Sequence, residues 1–154
     1  MRAQRHRQPR QCPMEKGSPQ QASELYLMTR VETLNAYLEQ VRRHRFRPGS
    51  HDCGMYVAGW VQSATGVDHG KIWRGRYRSM AALDELMKEA GFATHVDYVA
   101  SLFAEIPPAV AQVGDLAVVE GRALGIIAAD RVFVLRPDGL GHVSRLRAER
   151  AFRI

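Results

Sequence analysis

Apolar residues recur every three or four positions in the first half of the chain. The first set comprises Val31, Leu34, Leu38 and Val41. This spacing predicts an amphipathic helix over about residues 30–44. Thr29 and Glu32 fit a capping box at its start, in which the threonine hydroxyl and the glutamate carboxylate satisfy exposed amides. We therefore expect the folded part of the chain to begin close to Met28.

A second apolar face follows the break at Pro48-Gly49. Its members are Cys53, Val57, Trp60, Val61 and Ala64. Their spacing predicts a helix that Ser50 or His51 caps and Gly66 ends, since glycine adopts the left-handed conformation common at helix C-termini. Cys53 is thus expected in the first helical turn, mostly buried against the strand that starts near Leu116.

Two further helices are predicted before the hydrophobic pattern changes from helical spacing to short β-type runs. Residues 67–78 are polar and indicate a loop, after which Ser79 caps a third helix that ends at Gly91. A short fourth helix is expected over about residues 95–104, because Pro107-Pro108 stops the pattern there.

From Gly114 onward the pattern changes to short β-type runs separated by turn residues. The predicted strands are Leu116–Val119, Leu124–Ala128, Val132–Leu135, His142–Leu146 and Phe152–Ile154. Helices followed by an antiparallel meander are typical of an α+β fold rather than of alternating βαβ units. We predict one such domain over residues 28–154.

Residues 1–27 have a different composition, rich in Gln, Arg, Pro and Ser, with no apolar period. Such a segment is typical of disorder, since it buries too little apolar surface to offset its ordering entropy. The clear helix start favours Met28 as the natural initiator, which would make residues 1–27 an artefactual extension.

The charge distribution, the lack of a long apolar run and the cysteine content argue against several classes of protein. About half of the net charge of +6 lies in residues 1–28, and the rest is spread thinly, so we do not expect nucleic-acid binding. No apolar run is long enough for a membrane span, and no secretory h-region follows the basic N-terminus. Two cysteines form no disulfide framework, which favours a reducing, cytoplasmic origin.

Cys53 is the sharpest candidate for chemistry. A helix N-terminus favours the thiolate through free backbone amides and the positive end of the helix dipole. Asp52 opposes this effect, because a neighbouring negative charge raises the pKa of a thiol. The alternative is a small buried apolar residue, since free cysteine is among the most buried residue types.

Several motifs resemble the NlpC/P60 group of papain-like cysteine peptidases. The matching segments are His51-Asp52-Cys53-Gly54, Gly114-Asp115-Leu116-Ala117-Val118-Val119 and Leu124-Gly125-Ile126-Ile127. The chain also resembles a family of small phage and prophage proteins of unknown function. The segments that carry this second likeness are the Asp-Cys helix, Thr65-Gly66-Val67-Asp68, Arg74-Gly75-Arg76-Tyr77, Gly114-Asp115-Leu116 and the ending Phe152-Arg153-Ile154.

The resemblance implies a papain-like fold with Cys53 at the nucleophile position. It also implies a catalytic histidine at the start of the strand after Gly-Asp-Leu, where this chain has Ala123. Alanine cannot accept a proton, and the following strand offers no polar replacement. His142 and His51 are alternative bases if either reaches Cys53. We otherwise expect no imidazole within roughly 2.6–3.2 Å of the sulfur.

Other candidate sites have weaker support. His51, Asp52, Cys53 and His69 do not follow a recognised metal-ligand spacing, so no metal and no cofactor are expected. The segment Arg74-Gly75-Arg76-Tyr77 indicates either an anion or partner contact, or a structural loop whose tyrosine packs on the core.

Three functions remain open at this point. The first is a structural tail-tip or tail-assembly protein of a phage or prophage, on an inactive NlpC/P60-like scaffold, with other tail proteins as partners. It would reside in the bacterial cytoplasm or in the virion tail. The second is an active cysteine hydrolase that cleaves peptidoglycan peptides or another amide through Cys53. The third is a binding module that holds a ligand or peptide in a cleft with Cys53 at its floor.

Overall fold

A computed structural model describes residues 18–154, in which the four α-helices precede all six strands. The α-helices are α1 (Pro19–Val41), α2 (Cys53–Thr65), α3 (Met80–Glu89) and α4 (His95–Leu102). The strands are β1 (Ala104–Ile106), β2 (Leu116–Val119), β3 (Ala123–Ile127), β4 (Arg131–Arg136), β5 (Gly139–Ser144) and β6 (Arg150–Arg153). Short 3₁₀ turns cover Pro108–Val110 and Arg145–Arg147. The predicted α+β class is confirmed.

The six strands form one antiparallel sheet in the order β1-β6-β2-β3-β4-β5. Strands β2 to β5 are the predicted meander, each pairing with the next along the chain. Strand β6 then returns to lie between β1 and β2, where Phe152 pairs with both Glu105 and Leu116. The last strand is therefore internal to the sheet.

Helix α1 begins earlier than the apolar pattern predicts. Ser18 forms a capping box with Gln21, and Pro19 occupies the first turn, where its missing N–H costs nothing. Residues 19–27, predicted to lack structure, are helical, and residues 1–17 lie outside the described range. Thr29 does not cap the helix: its hydroxyl donates to the carbonyl of Leu25. The amphipathic rule missed this start because the added turns bury no side chain.

Helix α2 follows its prediction closely except for its N-cap. Asp52, rather than Ser50 or His51, is the N-cap, and its carboxylate accepts from the amides of Gly54 and Met55. The helix ends at Gly66 in the left-handed conformation, as predicted. Tyr56 and Trp60 are fully buried on its inner face.

The sheet has an apolar cluster on each face, because successive side chains of a strand point to opposite sides. Helices α1 and α2 cover one face, where their aromatic and aliphatic side chains meet Leu116, Val118 and Phe152. The other face buries small residues such as Ala117 and Val119. A third cluster joins α3 to the 67–78 loop through Trp73, Tyr77, Leu83 and Met87. That loop is thus part of the core, as the packing interpretation of Tyr77 predicts.

Candidate functional site

Cys53 is the first residue of α2 and is buried, with 9 % of its surface exposed. The predicted position in a first helical turn and the predicted burial are both confirmed. The backbone of Leu124 on β3 lies beside the sulfur. Burial raises the pKa of the thiol, and the backbone amides of Leu124 and Gly54 act in the opposite direction without reversing it.

A histidine that the sequence did not single out lies next to this cysteine. Nε2 of His95 is 3.9 Å from Sγ of Cys53, a hydrogen-bond distance for sulfur although longer than in a working catalytic pair. His95 is the first residue of α4, which Thr94 and Asp97 start with a capping box. That capping box was the available signal, but it predicts only a helix start. The approach to Cys53, 42 residues away, depends on how α4 packs.

The second contact of His95 defines its tautomer. Nε2 lies 2.8 Å from the carbonyl oxygen of Arg122, which can only accept a hydrogen bond. Nε2 therefore carries the proton, and the ring lone pair resides on Nδ1. The Nδ1 atom is buried and has no partner among residues 18–154. The atom nearest the thiol is thus a donor, and the imidazole has no free lone pair directed at the sulfur.

Electrostatics favour the neutral form of both groups. Burial raises the pKa of Cys53, and the charge of Asp52 raises it further, against the weaker opposing effects of the nearby amides and Arg122. Burial also lowers the pKa of His95, while its bond to the Arg122 carbonyl acts in the other direction. The resting pair is a thiol beside a neutral imidazole rather than a thiolate–imidazolium pair.

Asp52 does not hydrogen-bond to the imidazole of His95 and belongs to a separate hydrogen-bond network. Oδ2 accepts from the amide of Gly49 at 2.8 Å and from the hydroxyl of Tyr77 at 2.6 Å. Oδ1 accepts from the amides of Gly54 and Met55 at 3.0 Å each. The carboxylate, fully buried, joins the start of α2 to the preceding turn and to the 67–78 loop.

The other sequence candidates form no hydrogen bond with the thiol within residues 18–154. Ala123 begins β3, one residue before Leu124, so the position that the resemblance assigns to a base is next to the site and holds a methyl group. His142 is exposed on the edge strand β5, opposite Phe133. His51 packs edge-on against the rings of His44 and Tyr56.

No metal centre emerges from these residues. Within residues 18–154, no group of three or more His, Cys, Asp or Glu side chains is arranged to hold an ion. His69 contacts the ring of Phe103. In the same loop, Arg74 forms a two-pronged contact with Asp68, which lowers the pKa of that carboxyl through the hydrogen bond and the charge of the guanidinium. The loop motif thus includes an internal ion pair.

The Gly-Asp-Leu motif forms a second buried polar cluster. Asp115, 1 % exposed, accepts from the amide of Gln112 and lies 3.4 Å from Arg30 and 3.7 Å from Arg153. Nε of Arg30 also donates to the carbonyl of Val113.

Gly114 beside it has φ +89°, and an added Cβ would lie 2.6 Å from Nε of Arg30 and 2.8 Å from Cζ2 of Trp60. Trp60 donates from Nε1 to the Gly114 carbonyl at 2.7 Å. Only glycine fits this position, for its backbone conformation and for the close approach of both neighbours. The motif connects α1 and α2 to the sheet.

Comparisons with known proteins place the chain in a family without assigning it an activity. No helix among residues 18–154 is both long and apolar enough to cross a membrane. None of the curated proteins matches the chain. A family model described as "Domain of unknown function (DUF6950)" matches residues 28–154, and the chain therefore belongs to that family.

Proposed function

We propose that this protein is a non-catalytic domain on an NlpC/P60-like scaffold that serves as a tail-tip or tail-assembly component of a phage or prophage. Its partners would be other tail proteins, and its location the bacterial cytoplasm before assembly or the virion tail afterwards. The sequence resemblance supports the scaffold and the phage setting. The bond from His95 Nε2 to the Arg122 carbonyl is the observation that carries the absence of catalysis.

Hydrolysis through Cys53 requires a base that removes the proton of its thiol. A general base needs a lone pair within reach of the proton it removes. Here the nearer ring nitrogen of His95 donates to a carbonyl, and within residues 18–154 no carboxylate accepts from or orients the other nitrogen. Burial keeps the thiol protonated, and Ala123 supplies no alternative base. A cysteine hydrolase that lacks its base loses orders of magnitude in rate.

An active cysteine hydrolase is the second candidate, because one observation favours it. Sγ of Cys53 is 3.9 Å from an imidazole nitrogen, and the backbone amides of Leu124 and Gly54 oppose the effect of burial on the pKa of the thiol. If the His95 ring released the Arg122 carbonyl and its proton moved from Nε2 to Nδ1, Nε2 could accept the thiol proton while the sulfur attacked an amide carbon. A peptidoglycan peptide is the substrate that the resemblance favours. The binding module with Cys53 at the floor of a cleft stays a prediction.

Thiol reactivity separates the first two candidates. In a Cys12→Ser background, Cys53 is the sole thiol, and iodoacetamide labelling followed by mass spectrometry reports its reactivity. We expect labelling no faster than that of an ordinary buried thiol, no change on His95→Gln, and no cleavage of peptidoglycan fragments. Rapid labelling that His95→Gln abolishes would overturn the non-catalytic proposal and make His95 the base.

An added imidazole provides a matched control for the scaffold. Ala123→His places a ring at the start of β3, beside the backbone that contacts Cys53. Labelling faster than in the parent protein would support an NlpC/P60-like geometry around the thiol. Unchanged labelling in a variant that keeps its melting temperature would count against that scaffold.

The assembly role needs a separate test. Purified tail proteins of the same phage or prophage, mixed with this chain, should yield a complex on size-exclusion chromatography. The Cys53→Ala variant should enter that complex equally well, since the proposal requires no thiol chemistry. Failure to co-elute with any tail protein would contradict the assembly role, whatever the result of the labelling experiment.

A further inference from the structure

Positive charge is concentrated in residues 42–78, in contrast to the thin spread expected from the net charge of the chain. This basic stretch holds eight Arg and Lys residues against two Asp, a net charge of +6. The other described residues hold nine Arg and Lys against 13 Asp and Glu, a net charge of −4. Of the two aspartates in the basic stretch, Asp52 is fully buried and Asp68 is paired with Arg74. Its exposed surface is therefore strongly positive.

The cations of the basic stretch also differ from the others in their partners. Within residues 18–154, seven of the nine cations outside the stretch form an ion pair with a carboxylate. Only two of the eight inside it do so, Arg42 with Glu39 and Arg74 with Asp68. The remaining six are exposed and form no ion pair with a described residue: Arg43, Arg45, Arg47, Lys71, Arg76 and Arg78. Their counter-charge has to come from solvent ions or from a partner.

Two parts of the basic stretch meet at a surface groove. The amide of Gly75 donates to the carbonyl of Gly49 at 2.8 Å, which joins the turn before α2 to the 67–78 loop. The groove between them has a volume of about 460 Å³. Its lining includes one arginine from each side, Arg47 and Arg78, and no acidic residue. The fold thus brings two unpaired cations from separate segments to one groove.

The groove offers arginine side chains rather than free backbone donors. A guanidinium group donates in a planar fork that matches a carboxylate or a phosphate. Phosphate sites commonly add backbone amides, but those of Ser50 and Gly75 already donate to backbone carbonyls. Single-stranded nucleic acid is usually held by exposed aromatic rings as well, whereas Trp73 and Tyr77 in this loop are 5 % and 4 % exposed. These features favour carboxylates over nucleic acid.

We propose that this groove docks an acidic peptide segment of a partner protein, whose carboxylates pair with Arg47 and Arg78. Arg45 and Arg76 lie two residues away from them along the chain and add to the positive field. Such a field attracts an acidic segment before contact and raises the association rate. Cys53 does not line the groove, so docking requires neither thiol chemistry nor a particular assembly role.

A fluorescently labelled hexaglutamate peptide tests the proposal with the full-length protein, and hexaglutamine is the uncharged control. We expect anisotropy to show saturable binding of hexaglutamate and no binding of hexaglutamine. Combining Arg47→Gln with Arg78→Gln should weaken hexaglutamate binding about tenfold or more, because both carboxylate partners are lost. The matched control combines Arg131→Gln with Arg147→Gln. It removes the same charge outside the groove and should change the binding by less than about twofold.

Three outcomes would overturn the proposal. A failure of hexaglutamate to bind saturably would show that the groove does not recognise carboxylates. Equal losses in the two double variants would indicate a general attraction to a basic chain, to which residues 1–17 also contribute. Tighter binding of a DNA duplex than of hexaglutamate, with the same dependence on Arg47 and Arg78, would assign the surface to nucleic acid instead.

A second measurement locates the binding without any substitution. In ¹⁵N–¹H correlation spectra of the full-length protein, the amide signals of Ser50 and Gly75 report on the two sides of the groove. We expect hexaglutamate to shift both signals saturably and those of β4 and β5 hardly at all. Shifts confined to residues away from the groove would overturn the assignment of the site, even if the Arg47 and Arg78 double variant did not fold.

Discussion

Two buried aspartates, Asp52 and Asp115, lie in the two motifs that carry the resemblance. Their carboxylates are stabilised by different kinds of partner. Asp52 accepts from four neutral donors and contacts no cation, whereas Asp115 lies near two arginines and two further amides. Buried carboxylates are costly unless hydrogen-bonded or paired. Asp52 meets this requirement within one local turn and loop, and Asp115 does so with long side chains from α1 and β6.

The comparison explains why these motifs predict a fold better than an activity. Asp52 starts α2, and Asp115 holds the turn that precedes β2 against α1 and the end of the chain. Both roles persist without any reaction at Cys53. The two motifs therefore contribute to the fold whether or not a catalytic base lies beside Cys53.

The largest expected effect is that of removing the Asp52 carboxylate. Asp52→Ala deletes the cap of α2 and leaves the Tyr77 hydroxyl and the Gly49 amide without their acceptor. A lost cap costs about 1 kcal/mol, and each unsatisfied buried donor adds about 1–3 kcal/mol. We expect the free energy of unfolding to fall by about 3–5 kcal/mol, measured by urea denaturation.

Asp52→Asn keeps the shape of the side chain and removes its charge, so it tests how much of the stability lost in Asp52→Ala depends on the charge. Its carbonyl oxygen can still cap α2, but its NH₂ group would meet the Gly49 amide, so we expect an intermediate loss. A loss from Asp52→Ala below about 1 kcal/mol would show that the network contributes little and would remove the contrast with Asp115.

Weakening the Asp115 cluster should lower the free energy of unfolding by less than Asp52→Ala does. Arg30→Ala removes the closer arginine of Asp115 and the bond to the Val113 carbonyl, although Arg153 and the Gln112 amide remain. We expect a loss of about 2 kcal/mol in the same assay, within the range for hydrogen bonds to charged groups. Arg153→Ala is the matched control, since that side chain is half exposed at 3.7 Å and should cost below about 1 kcal/mol. The reverse order would place the main contact of Asp115 in β6.

A sequence reading predicts those parts of the fold that depend on local patterns. Gly66, the Ser79 cap and strand β2 occur where the apolar period and the turn residues indicate them. Strand β1 was missed because three residues form no pattern, and it exists only through pairing with β6. His95 was missed for a related reason, since its distance to Cys53 follows from tertiary packing that no spacing reveals.

The pH dependence of stability should distinguish the Cys53–His95 pair from both aspartate clusters. Burial lowers the pKa of His95 below its usual 6.5, so the unfolded chain binds a proton more readily. The contribution of His95 is complete above pH 6.5 and is lost as the pH falls towards the folded pKa. We expect the urea midpoint to drop between pH 7.5 and pH 5, and the drop to be smaller in His95→Gln. Identical drops would show that His95 does not carry this dependence.

The smallest effect is expected from deleting residues 1–27. Leu25, Tyr26 and Met28 are all more than half exposed, so the first turns of α1 add little to the core. The deletion removes Tyr26, whose hydroxyl accepts from Arg30, but leaves the contact between Arg30 and Asp115. The melting temperature should stay within a few degrees. A large decrease would show that the Asp115 cluster depends on residues before Met28.

The internal position of β6 has a kinetic consequence. Strands β2 to β5 pair with their neighbours along the chain, so they can form early through short loops. Strand β6 must close much longer loops to reach β1 and β2, and contacts between distant residues slow folding. Until it inserts, β2 exposes a free edge rich in valine and leucine, which is a template for unwanted pairing between chains. The rate of β6 insertion would then set how long a newly unfolded molecule is at risk of aggregation.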